Sequence, residues 1–210
     1  MGVTAAAVQE DAGGTRARVL AAARDGFAAR GFHATTVDEI ARLARCSKKT
    51  VYKLFRSKEE LFAAVLRGLR AEVARLSVPE AIGPEAALRG FLLAMAGVLL
   101  RDTSVALTRI AMAEAGRISS FSPRREPVGA RLAQPALEEY LDVLQRGGAY
   151  DFGPAPEAAR MLIGMALGAF HHELLIGLAA EVPEAAVEAR VAHTVRVFLR
   201  GSRRRAGADR

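Results

Sequence analysis

The chain has 210 residues, 51% of them hydrophobic, with no tryptophan, one cysteine and a formal net charge of +7. That length holds one large or two small domains around a substantial core, and a single thiol excludes an internal disulfide or a multi-thiolate metal cage. The charge is uneven: residues 1–70 carry 13 basic and 7 acidic groups (net +6), residues 71–199 carry 12 and 15 (net −3), and residues 200–210 carry 5 and 1 (net +4). A basic N-terminal part on a near-neutral body points to a module that faces nucleic acid. Ala and Leu dominate the apolar set and favour helix, so an all-α fold is expected. No basic-then-apolar leader opens the chain. The longest apolar runs, Phe91–Leu100 and Met161–Phe170, are ten residues each, half of the ~20 that a bilayer span needs. They read as buried helices, and a cytoplasmic protein with no membrane partner is expected.

Residues 1–14 have small side chains, no periodicity and a closing Gly-Gly, and read as a flexible arm. A helix is expected from Thr15, its N-cap. Leu20, Ala23, Phe27 and Ala28 share one face of it, and Gly31 ends it as a left-handed cap. Thr36 and Glu39 form a capping box for a helix whose Val37, Ile40, Ala41 and Ala44 recur at helical spacing. Arg45-Cys46 makes a turn and Ser47 caps the next helix. Ser57 with Glu60 forms a second capping box, opening a helix that runs to about Leu76. Ser77–Pro84 contains two prolines and a glycine and reads as a boundary between modules. Beyond it, helices are expected over Pro84–Arg101, with proline in the first turn, and over Thr103–Arg117. Ile118–Pro127 reads as a loop. A helix over Pro127–Arg146 stops at Gly147-Gly148, Tyr150–Pro156 connects, and helices over Pro156–Ala180 and Pro183–Arg200 follow. Residues 201–210 read as a basic, disordered tail.

All four lysines, Lys48, Lys49, Lys53 and Lys58, fall within eleven residues of a chain that otherwise uses arginine. On a helix over Ser47–Phe55, at 100° per residue, Val51, Leu54 and Phe55 form a narrow inward face. Lys49 and Lys53 point the opposite way, flanked by Lys48 and Tyr52 on one side and Thr50 on the other. Such a face suits a DNA major groove, with Lys49, Lys53 and Thr50 at base edges. Tyr52, Lys48 and the N-terminal amides suit phosphates, as does Thr36 at the neighbouring helix start. Lys58 stands at a helix N-terminus, where a cation opposes the dipole, and a facing phosphate explains it better than a role in stability. The alternative is a solvated face of an ordinary helix.

Residues 15–66 resemble the DNA-binding domain of the tetracycline-repressor (TetR) family of bacterial regulators. The resemblance rests on FAARGFHATTVDEIARLA, the turn, and SKKTVYKLFRSKEELF: Phe-x-x-x-Gly-Phe, paired Thr, Ile-Ala, Tyr-x-x-Phe and Ser-Lys-Glu-x-Leu in that order. It implies phosphate contacts for Thr36, Ser47, Tyr52 and Lys58, and groove-facing positions for Lys48, Lys49, Thr50 and Lys53. Arg45 stands where the family commonly has glycine, and Lys49 where glycine is frequent. The implied organisation is an arm (1–14), a helix-turn-helix domain (15–66), a C-terminal effector-binding and dimerisation domain (67–200) and a tail (201–210). The C-terminal part agrees with the family in length and helical character, and its Thr103–Arg117 helix resembles one in AefR-like members. The implied partners are palindromic operator DNA, a small-molecule effector and a second copy of the chain, paired through the last two helices. There Leu162, Met165, Ala166, Ala169 and Phe170 form an apolar stripe, and Gly164 and Gly168 permit close helix approach. The same residues also suit packing within one subunit.

Other groups carry weaker signals. Cys46 beside Arg45 suits a thiol sensor or a small apolar filler. His171-His172-Glu173 lacks the spacing of a metal or hydrolase motif, so no metal or cofactor is expected. Glu114 is placed to pair with Arg117. Arg109 and His171, with Met95, Leu99, Met112, Met161 and Met165, are candidates for an effector pocket. An all-helical enzyme would need a nucleophile and base or a metal cluster, and the sequence offers neither. A DNA-binding regulator without an effector remains the other alternative.

Overall fold

The computed structural model of the chain describes residues 5–80, 83–115 and 134–204, with side chains from Gly14 onward. Among them run nine helices and no strand: α1 (Ala5–Ala34), α2 (Val37–Leu43), α3 (Lys48–Leu54), α4 (Lys58–Ala74), α5 (Pro84–Leu99), α6 (Asp102–Glu114), α7 (Pro135–Arg146), α8 (Ala155–Ile176) and α9 (Glu184–Gly201). The all-α class is as the composition predicts. Two compact units divide the chain: the first takes the described residues of 1–70 and 102–122, the second those of 71–101 and 123–210. No single helix among the described residues is long and apolar enough to cross a membrane.

The first unit is built on α1. This helix starts at Ala5, not Thr15, so the backbone of residues 5–14 is helical. The alanines there favour helix enough to offset Gly13-Gly14, which costs about 1 kcal/mol per glycine. Residues 1–4 lie outside the described part. Gly31 breaks the regular helix with φ 82° and ψ 176°, a positive φ that a side chain disfavours, although its ψ is extended rather than left-handed helical. The buried Thr35 then draws the chain back, its hydroxyl donating to the carbonyls of Gly26 (2.9 Å) and Gly31 (2.8 Å). Phe27, Phe32 and Phe62 pack ring against ring with centroids 5.0–5.7 Å apart. Around them close Val19, Ala23, Ile40, Ala41, Val51, Phe55, Leu61 and Val65. Leu107, 1% exposed, joins this core from α6. That helix was expected in the C-terminal domain, and its packing on α1 places it in the first unit instead.

In the second unit α5 packs on α8 and α9, α7 on α8, and α8 on α9. Leu88, Phe91, Leu92, Met95, Leu137, Leu141, Leu162, Val191 and Val195 are its most buried large side chains. Helix α7 starts at Pro135, where proline takes the first helical position after the non-helical Gln134 (φ −124°, ψ 79°); residues 127–133 of the expected helix lie outside the described part. The expected loop Ile118–Pro127 and Arg117 lie outside the described residues. Helix α8 stops at Ile176 rather than Ala180, ended by Gly177 in the left-handed conformation. Part of the expected tail is ordered. Backbone bonds join Asp151 N–H to the Ser202 carbonyl (2.8 Å) and Arg204 N–H to that of Ala149 (3.1 Å). Tyr150, Phe152 and Phe198 stack alongside, with centroids 5.3 and 5.2 Å apart. Residues 205–210 lie outside the described part.

The turn between α2 and α3 carries a strained backbone position. Arg45 has φ +52°, the only positive value at a non-glycine among the described residues. An L side chain there costs about 1–2 kcal/mol, more than the roughly 0.5–1 kcal/mol of entropy a glycine loses on folding. Arg45→Gly is therefore expected to stabilise the protein by about 0.5–1 kcal/mol, read as a rise in Tm of about 2 °C. A fall in Tm would mean that the arginine side chain offsets its own backbone strain.

Candidate nucleic-acid interface

Helix α3 is seven residues long and is held at both ends and from beneath. Ser47 caps it, its hydroxyl oxygen accepting from Thr50 N–H at 3.0 Å. Val51 and Phe55, 1% and 2% exposed, anchor its inner face. Helix α2 is capped in the same way, Thr36 Oγ1 accepting from Glu39 N–H at 3.3 Å. The Glu39 carboxylate is engaged by Arg30 at 2.6 Å. The preceding turn is tied down by Arg18 of α1, whose Nε donates to the Ala44 carbonyl at 3.2 Å. Cys46 is half-buried, packs against the core and donates its N–H to the Ala41 carbonyl at 3.0 Å, which is the geometry of a filler.

The outer face is as the helical spacing predicts. Lys48, Lys49, Tyr52 and Lys53 are exposed, and Thr50 and Leu54 half-buried. Lys49 and Lys53 take part in no ion pair among the described residues. Thr36 and Ser47 are also exposed, but their hydroxyls already serve as caps, and Ser47 Oγ lies 2.8 Å from Thr50 Oγ1. Lys48 Nζ is bonded to Asp38 of α2 at 2.8 Å, and that bond holds its ammonium protonated above the usual lysine range. Asp38 escapes a sequence reading because it stands ten residues away on another helix.

Lys58 is engaged within the fold. Its ammonium donates to the carbonyls of Phe32 (2.9 Å), Thr35 (3.2 Å) and His33 (3.5 Å), and lies 4.5 Å from the centre of the Phe32 ring. The cation that opposes the α4 dipole thus satisfies the carbonyls at the C-terminal end of α1, where positive charge is favourable. A structural device within the fold explains the residue without a phosphate. The Ser57 cap of α4 is as predicted, accepting from Glu60 N–H at 3.2 Å. The Glu60 carboxylate reaches back to Arg56 N–H at 2.8 Å rather than to the cap residue.

The candidate effector residues divide between the units. Arg109 and the 63%-exposed Met112 lie on α6 in the first. In the second, Met95 is buried, Leu99 half-buried, and Met161 and Met165 of α8 are exposed. His171 is partly buried, and its burial pulls the imidazole pKa down. Glu114, 7% exposed, pairs with His33 at 2.9 Å; Arg117, its expected partner, lies outside the described residues. The α8 stripe splits into two faces. Leu162 and Ala166 are buried, whereas Met161, Gly164, Met165, Gly168 and Ala169 form a second, exposed face. A Cβ added to Gly164 or Gly168 would meet nothing within 4 Å, so neither glycine makes a close helix approach among the described residues.

Known proteins match the chain in both parts. The family model for bacterial regulatory proteins of the tetR family covers residues 19–65. The model for the C-terminal domain of AefR-like transcriptional repressors covers residues 86–201. The uncharacterised HTH-type transcriptional regulator YdgC of Bacillus subtilis is 30% identical over 180 residues, 80% of this chain and 88% of that one. YhgD, another regulator of that kind from the same organism, is 39% identical over 66 residues, 31% of this chain and only 34% of that relative's length. A solved TetR-family regulator from Mesorhizobium loti superposes with a TM-score of 0.76 at 26% identity, over 92% of this chain and 98% of that one.

Replacing Lys58 by methionine keeps the apolar stem over Phe32 and removes the bonds to the three carbonyls. The variant is expected to lose about 1–2 kcal/mol of stability, measured by urea unfolding. A loss of no more than a few tenths would show that these carbonyls are equally well served by water.

Proposed function

The chain belongs to the TetR family of bacterial regulatory proteins, and we propose that it is a dimeric repressor that leaves a palindromic operator when a small molecule binds its C-terminal domain. The observation that carries the DNA-reading part is the outer face of α3. Lys49 and Lys53 stand exposed and unpaired among the described residues, on a helix whose opposite side is locked into the core. Their ammonium groups reach base edges in the major groove, while Tyr52 and the Thr50 hydroxyl lie beside them for backbone or base contact. Thr36, Ser47, Lys48 and Lys58 flank this face, the last two already engaged within the protein.

Dimerisation through α8 and α9 is supported by the second face of α8. Met161 (54% exposed) and Met165 (41%) flank Gly164 and Gly168, and Val197 of α9 is 51% exposed. A soluble monomer gains nothing from a row of exposed methionines beside open glycines, whereas a second copy covers it. The effector belongs with the apolar and titratable side chains of the second unit, Met95, Leu99 and His171, which are buried or partly buried. The protein acts in the cytoplasm and by binding rather than by catalysis.

A duplex selected by the purified protein from a randomised pool, titrated by fluorescence anisotropy against a scrambled duplex, tests the DNA reading. Lys49→Ala and Lys53→Ala are each expected to weaken binding to the selected duplex roughly tenfold and to alter base preference. If both lysines can be removed together with affinity and preference unchanged, α3 does not enter the groove.

A further inference from the structure

Asp38 is an exposed carboxylate on the surface assigned to DNA. It stands in the first turn of α2, and its Oδ2 accepts from Lys48 Nζ of α3 at 2.8 Å, so it lies beside the outer face of the recognition helix. The two side chains are 67% and 50% exposed. Neither is saturated by the contact: the ammonium keeps two further donors, and the carboxylate keeps its second oxygen.

A carboxylate in this place weakens binding that is driven by phosphate charge. What it adds is an ionised acceptor, which the lysines of α3 cannot supply. In the major groove an aspartate accepts from cytosine N4, and a lysine donates to guanine O6 or N7. Those groups lie side by side on one C·G pair, as Asp38 and Lys48 lie side by side here. We propose that Asp38 is a specificity-determining residue that, together with Lys48, reads a C·G pair in each half-site. The pair does so by presenting one acceptor and one donor, and Asp38 also keeps Lys48 off the phosphate backbone. This rests on the assignment of α3 to the major groove.

Two plainer roles compete. An exposed ion pair braces α2 against α3, and an acidic group in a first helical turn complements the dipole. Both act on folding and leave base preference untouched, so selectivity decides between them and the proposal.

The test uses full-length protein, the selected duplex, its single-pair substitutions and a scrambled duplex of the same composition, at two salt concentrations. Asp38→Asn is expected to bind the scrambled duplex more tightly, with a salt slope steeper by about one, because Lys48 becomes a phosphate contact. Its preference for the selected duplex should fall roughly tenfold, with the loss concentrated at a C·G pair in each half. In a Lys48→Met background the same substitution should change selectivity at that pair little further. Asp38→Ser, which also suits a first turn, serves if the asparagine variant melts well below the wild type. Unchanged selectivity at every pair, or an equal gain in affinity for both duplexes, would overturn the proposal and leave Asp38 as a brace. A wild-type protein without preference for any duplex would remove the DNA-reading assignment and this proposal with it.

Discussion

A helix of seven residues such as α3 cannot hold itself together. In water, isolated helices shorter than about 12–15 residues are marginal even with favourable sequences, and α3 has about two turns. Its order is imposed from outside. Ser47 closes its start, Val51 and Phe55 are driven into the core, and Arg18 holds the turn before it by the Ala44 carbonyl. The same constraint shapes α2, also seven residues long and capped by Thr36. Below both lies the Phe27–Phe32–Phe62 cluster. It is fastened at one edge by Lys58, whose three carbonyl partners join the end of α1 to the start of α4. What α3 can touch therefore depends on packing several residues away from it.

The four clustered lysines illustrate how charge is allocated on that scaffold. Lys58 is committed to the fold and Lys48 to a carboxylate on the neighbouring helix. Lys49 and Lys53 stand exposed and take part in no ion pair among the described residues. A count of basic residues would credit the module with more phosphate-neutralising groups than its geometry offers. The strained Arg45 belongs to the same balance: the turn that sets the angle of α3 keeps an arginine in a backbone region that favours glycine.

Features encoded over three or four residues were legible in the sequence. The caps at Thr36, Ser47 and Ser57 stand where the spacing predicts, and the buried Val37, Ile40 and Ala41 follow the helical period. Contacts that close over long separations were not. Lys58 meets Phe32 across 26 residues, and His33 meets Glu114 across 81. Local periodicity carries no trace of either. The α8 stripe was misdrawn for a different reason: Met161–Phe170 is apolar on every side, so the sequence cannot separate the face toward the core from the face with Met161 and Met165. The start of α1 was missed because a Gly-Gly pair reads as a break, although the alanines before it favour helix.

The central claim is that α3 reads base edges in the major groove, and guanine N7 is the atom there that can be blocked chemically without disturbing base pairing. Methylation interference on the selected duplex is the most direct measurement. The account predicts two symmetric clusters of guanines, one for each subunit, whose N7 methylation abolishes binding. Interference from phosphate ethylation alone, with every N7 methylation tolerated, would contradict it and leave the lysine face as a contact to the DNA backbone only.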